Sequence, residues 1–336
     1  MSSAPGPEEI AQDATWLVQA LDPAAGVVRL VAMDGDSYRA ASFLDDRLMT
    51  QSVDAQIVPW PDIEEAVAGD LRMDARWIFH IAHVGSTLVS RLLGEIEGVV
   101  AVREPRFLRD LAMVPPEIRE RYIGPSAKLM SRTFAADEIA CVKATSFASE
   151  IAAQLIPPAE RALFMYARPL NYVASILAGE NSVRELHALA SYRAQRLAGR
   201  GIALPPPRSD ADRAAAAWAC EITALEAAAE SLTDRQITWA DFDAMLANMA
   251  SELSRIAAFF DFSVSEEQLA SIAGGPLMQR YSKDPQYEYS ANLRQQLIEQ
   301  ELRLQGRDIE AALAMLRTAS EKSAILARAL RRAEGN

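Results

Sequence analysis

A short turn of small, hydrogen-bonding residues, His-Val-Gly-Ser-Thr at 83–87, lies between an apolar run and a helical apolar pattern. The first N–H groups of a helix have no intrahelical partner and attract anions. Gly85 lets a ligand approach the backbone closely, while Ser86 and Thr87 add hydroxyl donors. The turn therefore predicts a phosphate-binding site, with a plain connection between a strand and a helix as the alternative.

The turn lacks the lysine of nucleoside-triphosphate P-loops. Such loops carry Gly-Lys immediately before Ser or Thr, whereas Gly85 is followed directly by Ser86. We therefore expect the turn to bind a phosphate group other than the γ-phosphate of ATP.

Short apolar runs alternate with helical patterns through the middle of the chain. This alternation predicts a parallel sheet covered on both faces by helices. Ligands of such sheets bind beyond the carboxyl ends of the strands, so functional side chains are expected just after each strand. The predicted strands are 77–82, 98–103, 139–143, 162–167 and 236–239.

Glu104 follows the second predicted strand and precedes Pro105. Proline disfavours helical geometry in the residue before it, so we expect Glu104 to be extended at the strand end. A carboxylate there could accept a proton from an acceptor hydroxyl. The alternative is a surface ion pair with Arg103 or Arg106.

Charged and hydroxyl side chains also follow the third and fourth predicted strands. Lys143 could neutralise charge that develops as an S–O or P–O bond breaks; the alternative is a solvated lysine. Arg168 and Ser175 could hold a phosphate through charge-assisted hydrogen bonds, and the alternative is a structural arginine. His80, inside the first strand, is expected to be a core residue.

Together these motifs resemble the sulfotransferase family, which transfers a sulfuryl group from 3′-phosphoadenylyl sulfate (PAPS). The turn at 83–87 is similar to the family's 5′-phosphosulfate loop. Lys143 lies in a segment similar to the one that supplies the family's transition-state lysine. Arg168 and Ser175 resemble its 3′-phosphate binders, and Lys283 lies about where the last basic cofactor loop would be.

The resemblance implies sulfuryl transfer from PAPS to a hydroxyl or amine of a small-molecule acceptor, with 3′-phosphoadenosine 5′-phosphate (PAP) as product and no metal. Thr145 replaces the histidine base of many family members. Some bacterial and tyrosylprotein-type members instead use a glutamate after the second strand, and Glu104 lies at that place. The resemblance therefore implies Glu104 as the base and Lys143 as the second catalytic residue. The donor-binding set implied by the resemblance is His83, Gly85, Ser86, Thr87, Arg168, Ser175 and Lys283.

Two other functions stay open from the sequence. His83 replaces the family's lysine or arginine, and Thr145 is not a base, which favours a non-catalytic PAP-binding or scaffold relative. A P-loop kinase of small molecules is the other alternative, although the absent Gly-Lys argues against it.

The expected fold is a three-layer α/β P-loop-like architecture with a central parallel sheet. Residues 1–75 are expected to form an N-terminal extension with a disordered lead over 1–12. The sulfotransferase-like domain is expected at 76–290, followed by a helical region at 291–336 that is broken near Gly306.

Composition indicates a globular protein without nucleic-acid or membrane partners. The net charge of −12 argues against nonspecific binding to nucleic acid or anionic membranes. No signal peptide or membrane-spanning run is visible, and Cys141 and Cys220 form no CxxC motif, so we expect a cytoplasmic protein with reduced thiols. The acceptor and the oligomeric state are not indicated.

Overall fold

The computed structural model describes residues 4–50, 52–279 and 291–335. Its N-terminal part is a three-stranded antiparallel sheet in which the second strand is central. The elements of this part are α1 (Pro7–Gln12), β1 (Trp16–Asp22), β2 (Val27–Ala32), α2 (Gly35–Ala40), β3 (Ala55–Pro59) and α3 (Trp60–Ala66).

The central sheet has five strands, and every pair of neighbours in it is parallel. They are β4 (Arg76–His80), β5 (Val99–Arg103), β6 (Ile139–Lys143), β7 (Arg161–Tyr166) and β8 (Gln236–Asp241). The strand order is β5-β6-β4-β7-β8. The loop after the middle strand, β4, therefore has strand ends on both sides of it, which is the usual position of a ligand crevice in such sheets.

Helices cover both faces of this sheet and complete the three-layer α/β P-loop-like fold that the sequence predicts. They are α4 (Ser86–Leu93), α5 (Arg106–Met113), α6 (Pro116–Met130), α7 (Ala152–Leu155), α8 (Pro169–Leu177), α9 (Glu180–Gly199), α10 (Asp210–Ser231), α11 (Phe242–Ala247), α12 (Met249–Phe259), α13 (Glu266–Gly274), α14 (Ala291–Ser320) and α15 (Ala324–Glu334). Among the described residues, no helix has the length and apolar character needed to span a bilayer.

The N-terminal part docks on edge strand β5. The backbone N–H of Leu44 donates to the carbonyl of Arg103 at 2.7 Å. The buried guanidinium of Arg103 donates from Nε to the carbonyl of Ala41 at 2.7 Å. Because these bonds fix the chain on both sides of Phe43, they bring residues 43–47 to the carboxyl end of β5.

The five strands of the central sheet agree with the predicted runs within a few residues, and α14 is kinked at Gln305, next to the break expected at Gly306. The expected disordered lead is wrong for Pro7–Gln12. These residues form a helix with a capping box, and Ile10 is completely buried. The sequence interpretation also missed β1, β3 and α6.

Candidate active site

A cavity of about 930 Å³ lies at the carboxyl ends of the central strands. Of the residues predicted to bind or catalyse, its walls include the turn residues His83, Gly85, Ser86 and Thr87, together with Glu104 and Ser175. Most of the site residues that were predicted from their positions after the strands therefore lie at one cavity.

The turn between β4 and α4 has a backbone suited to an anion. Ala82, His83 and Gly85 all have positive φ, at 65°, 53° and 61°. The first intrahelical bond runs from the Val89 N–H to the Gly85 carbonyl at 3.1 Å. The amides of residues 86–88 precede that bond, so they have no carbonyl partner within the helix.

Gly85 is needed for a reason that differs from the predicted one. A Cβ atom at this position would lie 2.0 Å from the ring of Phe242. The missing side chain therefore makes room for an aromatic ring from α11 rather than for a ligand. The positive φ of Gly85 also favours glycine over any residue with a Cβ.

Lys143 and Glu104, the two predicted catalytic residues, form one ion pair in which Glu104 lines the cavity and Lys143 is completely buried behind it. The Lys143 ammonium donates to Glu104 Oε1 and, at 3.0 Å, to the hydroxyl of Thr87. The Glu104 N–H also donates to the Lys143 carbonyl at 2.8 Å. Lys143 is therefore not solvated, and Glu104 does not pair with Arg103 or Arg106 as in the alternative interpretation.

The backbone of Glu104 differs from the extended form expected before Pro105. Its φ is 52°, in the left-handed region that residues other than glycine rarely adopt. This conformation accompanies a carboxylate held inward, against Lys143. Strained backbone of this kind concentrates at functional sites.

Electrostatics keep the Glu104 carboxylate ionised. Burial alone would raise the pKa of Glu104, but the charge of Lys143 and the nearby His80 ring outweigh it and hold the pKa far below the ordinary range. Burial lowers the pKa of Lys143, although Glu104 opposes that shift.

His80 belongs to this cluster as well as to the core, and this second role was missed. Its Nδ1 accepts the Ala82 N–H at 3.0 Å, so the neutral ring carries its proton on Nε2. That nitrogen lies 3.5 Å from Glu104 Oε1. Burial and then the charge of Lys143 lower the pKa of His80. The strand was predicted to run to residue 82, which placed His80 inside it, whereas β4 ends at His80.

A second polar cluster lies on the β7 side of the cavity. Arg294, from α14, donates from Nη1 to the hydroxyl of Ser175 and from Nη2 to Asp243 Oδ1 at 2.9 Å. Its side chain is buried. Its Nε has no hydrogen-bond partner among the described residues, which leaves a donor for an anion.

Two of the predicted donor-binding residues are not in the described cavity wall. The Arg168 side chain is 57% exposed, and its Nε lies 3.3 Å from Asp241 Oδ2. Lys283 falls outside the described residues. His83 does line the cavity, with the edge of its ring toward Tyr172 at 6.5 Å between centroids.

The cavity thus offers two places for anionic groups. One is the turn, with its free amides, the Ser86 and Thr87 hydroxyls and the Lys143 ammonium nearby. The other is the pair of Ser175 and Arg294. Glu104 lies next to the first place, through its ion pair with Lys143.

Comparison with known proteins gives structural similarity only. The fold is similar to the sulfotransferase domain from the curacin biosynthetic pathway, at 11% identity and a TM-score of 0.40 over 67% of this chain and 87% of that one. It is also similar to the sulfotransferase domain from the Synechococcus PCC 7002 olefin synthase, at 12% identity and a TM-score of 0.36 over 69% of this chain and 95% of that one. No family model and no curated protein matches the sequence.

Proposed function

We propose that this protein is a sulfotransferase that moves a sulfuryl group from PAPS to a hydroxyl or amine of a small-molecule acceptor. The observation that carries the proposal is the position of Lys143. Its buried ammonium donates to the Thr87 hydroxyl, in the first turn of α4, and to the Glu104 carboxylate. Transfer of a charged group to a neutral acceptor requires a site that binds the anionic donor, a cation that stabilises the leaving group and a base for the acceptor. The turn, Lys143 and Glu104 could supply these three.

The residues around the turn fit the donor. The amides of residues 85–87 and the hydroxyls of Ser86 and Thr87 would hold the 5′-phosphate and the sulfuryl oxygens, with His83 beside them. Ser175 and Arg294 would hold the 3′-phosphate through charge-assisted hydrogen bonds. Arg168 could join them only by turning away from Asp241.

Lys143 and Glu104 would divide the chemistry between them. The bond from sulfur to the bridging phosphate oxygen breaks, and a bond from sulfur to the acceptor oxygen or nitrogen forms. Lys143 would stabilise the negative charge left on the phosphate of PAP, and Glu104 would take the acceptor proton. As Lys143 turns toward the bridging oxygen, Glu104 loses its nearest cation, so its pKa rises and it becomes a stronger base.

PAPS turnover tests this proposal. The protein is incubated with PAPS and a panel of phenols, alcohols and amines, and PAP formation is measured by chromatography. We expect Glu104→Gln to lower kcat about 10²- to 10⁴-fold, and Lys143→Met to lower it about 10²- to 10³-fold. Lys128→Met is the matched control, since the Lys128 ammonium bonds the carbonyls of Val67 and Gly69, away from the cavity.

Near-wild-type kcat in a folded Lys143→Met protein would contradict the assigned role. PAP binding without any turnover of PAPS would instead favour a non-catalytic relative, the alternative that His83 and Thr145 suggest. Turnover of Mg-ATP in place of PAPS would favour a small-molecule kinase.

A further inference from the structure

The cavity has two ends because β5 and β7 lie on opposite sides of β4. Ser175 follows β7 and, with Arg294, marks the donor end. Glu104 and Arg109 follow β5 and mark the other end. There the N-terminal extension adds a wall at residues 43–47, held on β5 by the bonds to Arg103.

Most charged side chains at the β5 end are already neutralised by a partner. Asp45 pairs with Arg47 at 2.6 Å, and Asp46 pairs with Arg106 at 2.8 Å. Glu104 is held by Lys143. These pairs leave no net charge at the wall.

Arg109 is the exception. Its side chain is exposed and lines the cavity, yet within the described part of the chain its guanidinium makes no hydrogen bond or ion pair. The central carbon of the guanidinium lies over the ring of Phe147, 5.9 Å from its centroid. Glu185, which also lines the cavity, is 3.4 Å from Arg193 and so has a cation of its own. Arg109 therefore contributes an uncompensated positive charge to this end.

Two aromatic side chains, Phe43 and Phe147, line the same cavity. Phe147 is stacked on Tyr192 with 4.8 Å between ring centroids, which holds its ring in place, and the guanidinium of Arg196 lies 4.9 Å from the Phe147 centroid. A planar guanidinium beside aromatic faces suits a molecule with an apolar body and a carboxylate, which arginine can bind through two parallel hydrogen bonds.

We propose that Arg109 is an acceptor-recognition residue and that the acceptor carries a carboxylate on an apolar body. The acceptor's hydroxyl or amine would then face Glu104, on the loop just before α5. One monovalent cation matches one carboxylate, whereas a phosphate dianion would be left partly uncompensated. This inference rests on the proposed function, because it assigns the β5 end to the acceptor.

Equilibrium binding tests the inference without requiring turnover. The probes are 4-hydroxyphenylpropionate and 10-hydroxydecanoate, each compared with its own methyl ester by calorimetry, with and without PAP. We expect at least one acid to bind about tenfold to a hundredfold more tightly than its ester. Arg109→Gln should remove that preference and leave the affinity of the ester unchanged.

Arg121→Gln is the matched control, since Arg121 is exposed on α6 and paired with Glu64. It should keep the preference for the acid. Equal binding of acid and ester by the wild-type protein, or an Arg109→Gln protein that retains the preference, would overturn the inference. Failure of the wild-type protein to bind PAP would count against the proposed function instead. The two failures can be told apart because the acid-to-ester ratio is also measured without PAP. Arg109→Gln is expected to leave PAP affinity unchanged.

Discussion

Lys143 and Glu104 are joined twice, by an ion pair between their side chains and by a hydrogen bond from the Glu104 N–H to the Lys143 carbonyl. The backbone bond extends the parallel ladder between β5 and β6 by one step, so the register of the sheet fixes which two side chains meet. The two residues proposed to act on opposite partners in the reaction are therefore one electrostatic unit in the free protein. Their contributions to stability and to activity should be coupled.

Removing one member of the pair should destabilise the fold. Lys143→Met leaves the Glu104 carboxylate without its cation, which costs about 3–5 kcal/mol for buried pairs. Lys143→Met combined with Glu104→Gln should be more stable than the sum of the single effects predicts, by about 0.5–3 kcal/mol. The coupling is measured from the free energies of unfolding in urea of the wild-type protein, the two single variants and the double variant. Strict additivity would contradict it, and Lys128→Met combined with Glu104→Gln is the control expected to be additive.

Stability should fall in acid because of Glu104. Its folded pKa lies below the ordinary value of 4.5, so the unfolded chain takes up the proton first as the pH falls. The pair's contribution is therefore complete above about pH 5 and is lost as the pH falls below 4.5 toward the folded pKa. Glu104→Gln should flatten the pH dependence of the unfolding free energy in that window. If the unfolding free energies of the wild-type protein and Glu104→Gln changed equally with pH in that window, the role of Glu104 in acid stability would be refuted.

Gly85 should tolerate no side chain. Gly85→Ala combines a positive φ, which costs about 1–2 kcal/mol, with a clash against Phe242, which costs about 1–3 kcal/mol as overpacking. Thermal unfolding should show the loss. Phe242→Ala is itself destabilising because the ring is buried, but in that background Gly85→Ala should cost less, because the clash is gone. Gly124→Ala, in an exposed helical position with nothing within 4 Å, is the control and should be neutral or stabilising. A Gly85→Ala protein as stable as wild type would contradict this account.

Arg294 should contribute more to nucleotide binding than Arg168. Arg294→Ala removes a buried guanidinium that contacts Ser175, and we expect PAP affinity to fall by about 1.5–3 kcal/mol. Arg168→Ala should cost less, because the side chain is mostly exposed and is not part of the described cavity wall. Calorimetry on both variants, with circular dichroism to check folding, gives the ranking. The reverse ranking would restore Arg168 as the principal ligand of the 3′-phosphate.

Local sequence patterns were enough to predict the central sheet and the turn. The apolar runs of the five strands each end at small or charged residues, so both the strands and the strand-end positions could be identified. Glu104 and Lys143 were found in this way, although their direct pairing follows from the strand order, which the sequence does not contain.

The features that could not be predicted depend on distant parts of the chain. Arg294 meets Ser175 across 119 positions, and nothing in the pattern of α14 distinguishes it from the exposed arginines that follow. The ring of Phe242 against Gly85 is another contact of this kind. In β1, the buried polar residue Gln19 interrupts the apolar run, and its amide is satisfied by Leu44, a partner 25 residues away.

The most direct test of the central claim is calorimetric titration of the wild-type protein with PAP and with ADP, which lacks the 3′-phosphate. The 3′-phosphate would meet Ser175 and Arg294, and hydrogen bonds to charged groups contribute about 1.5–3 kcal/mol. We therefore predict that PAP binds at least about tenfold more tightly than ADP. Equal affinities for PAP and ADP would contradict the account.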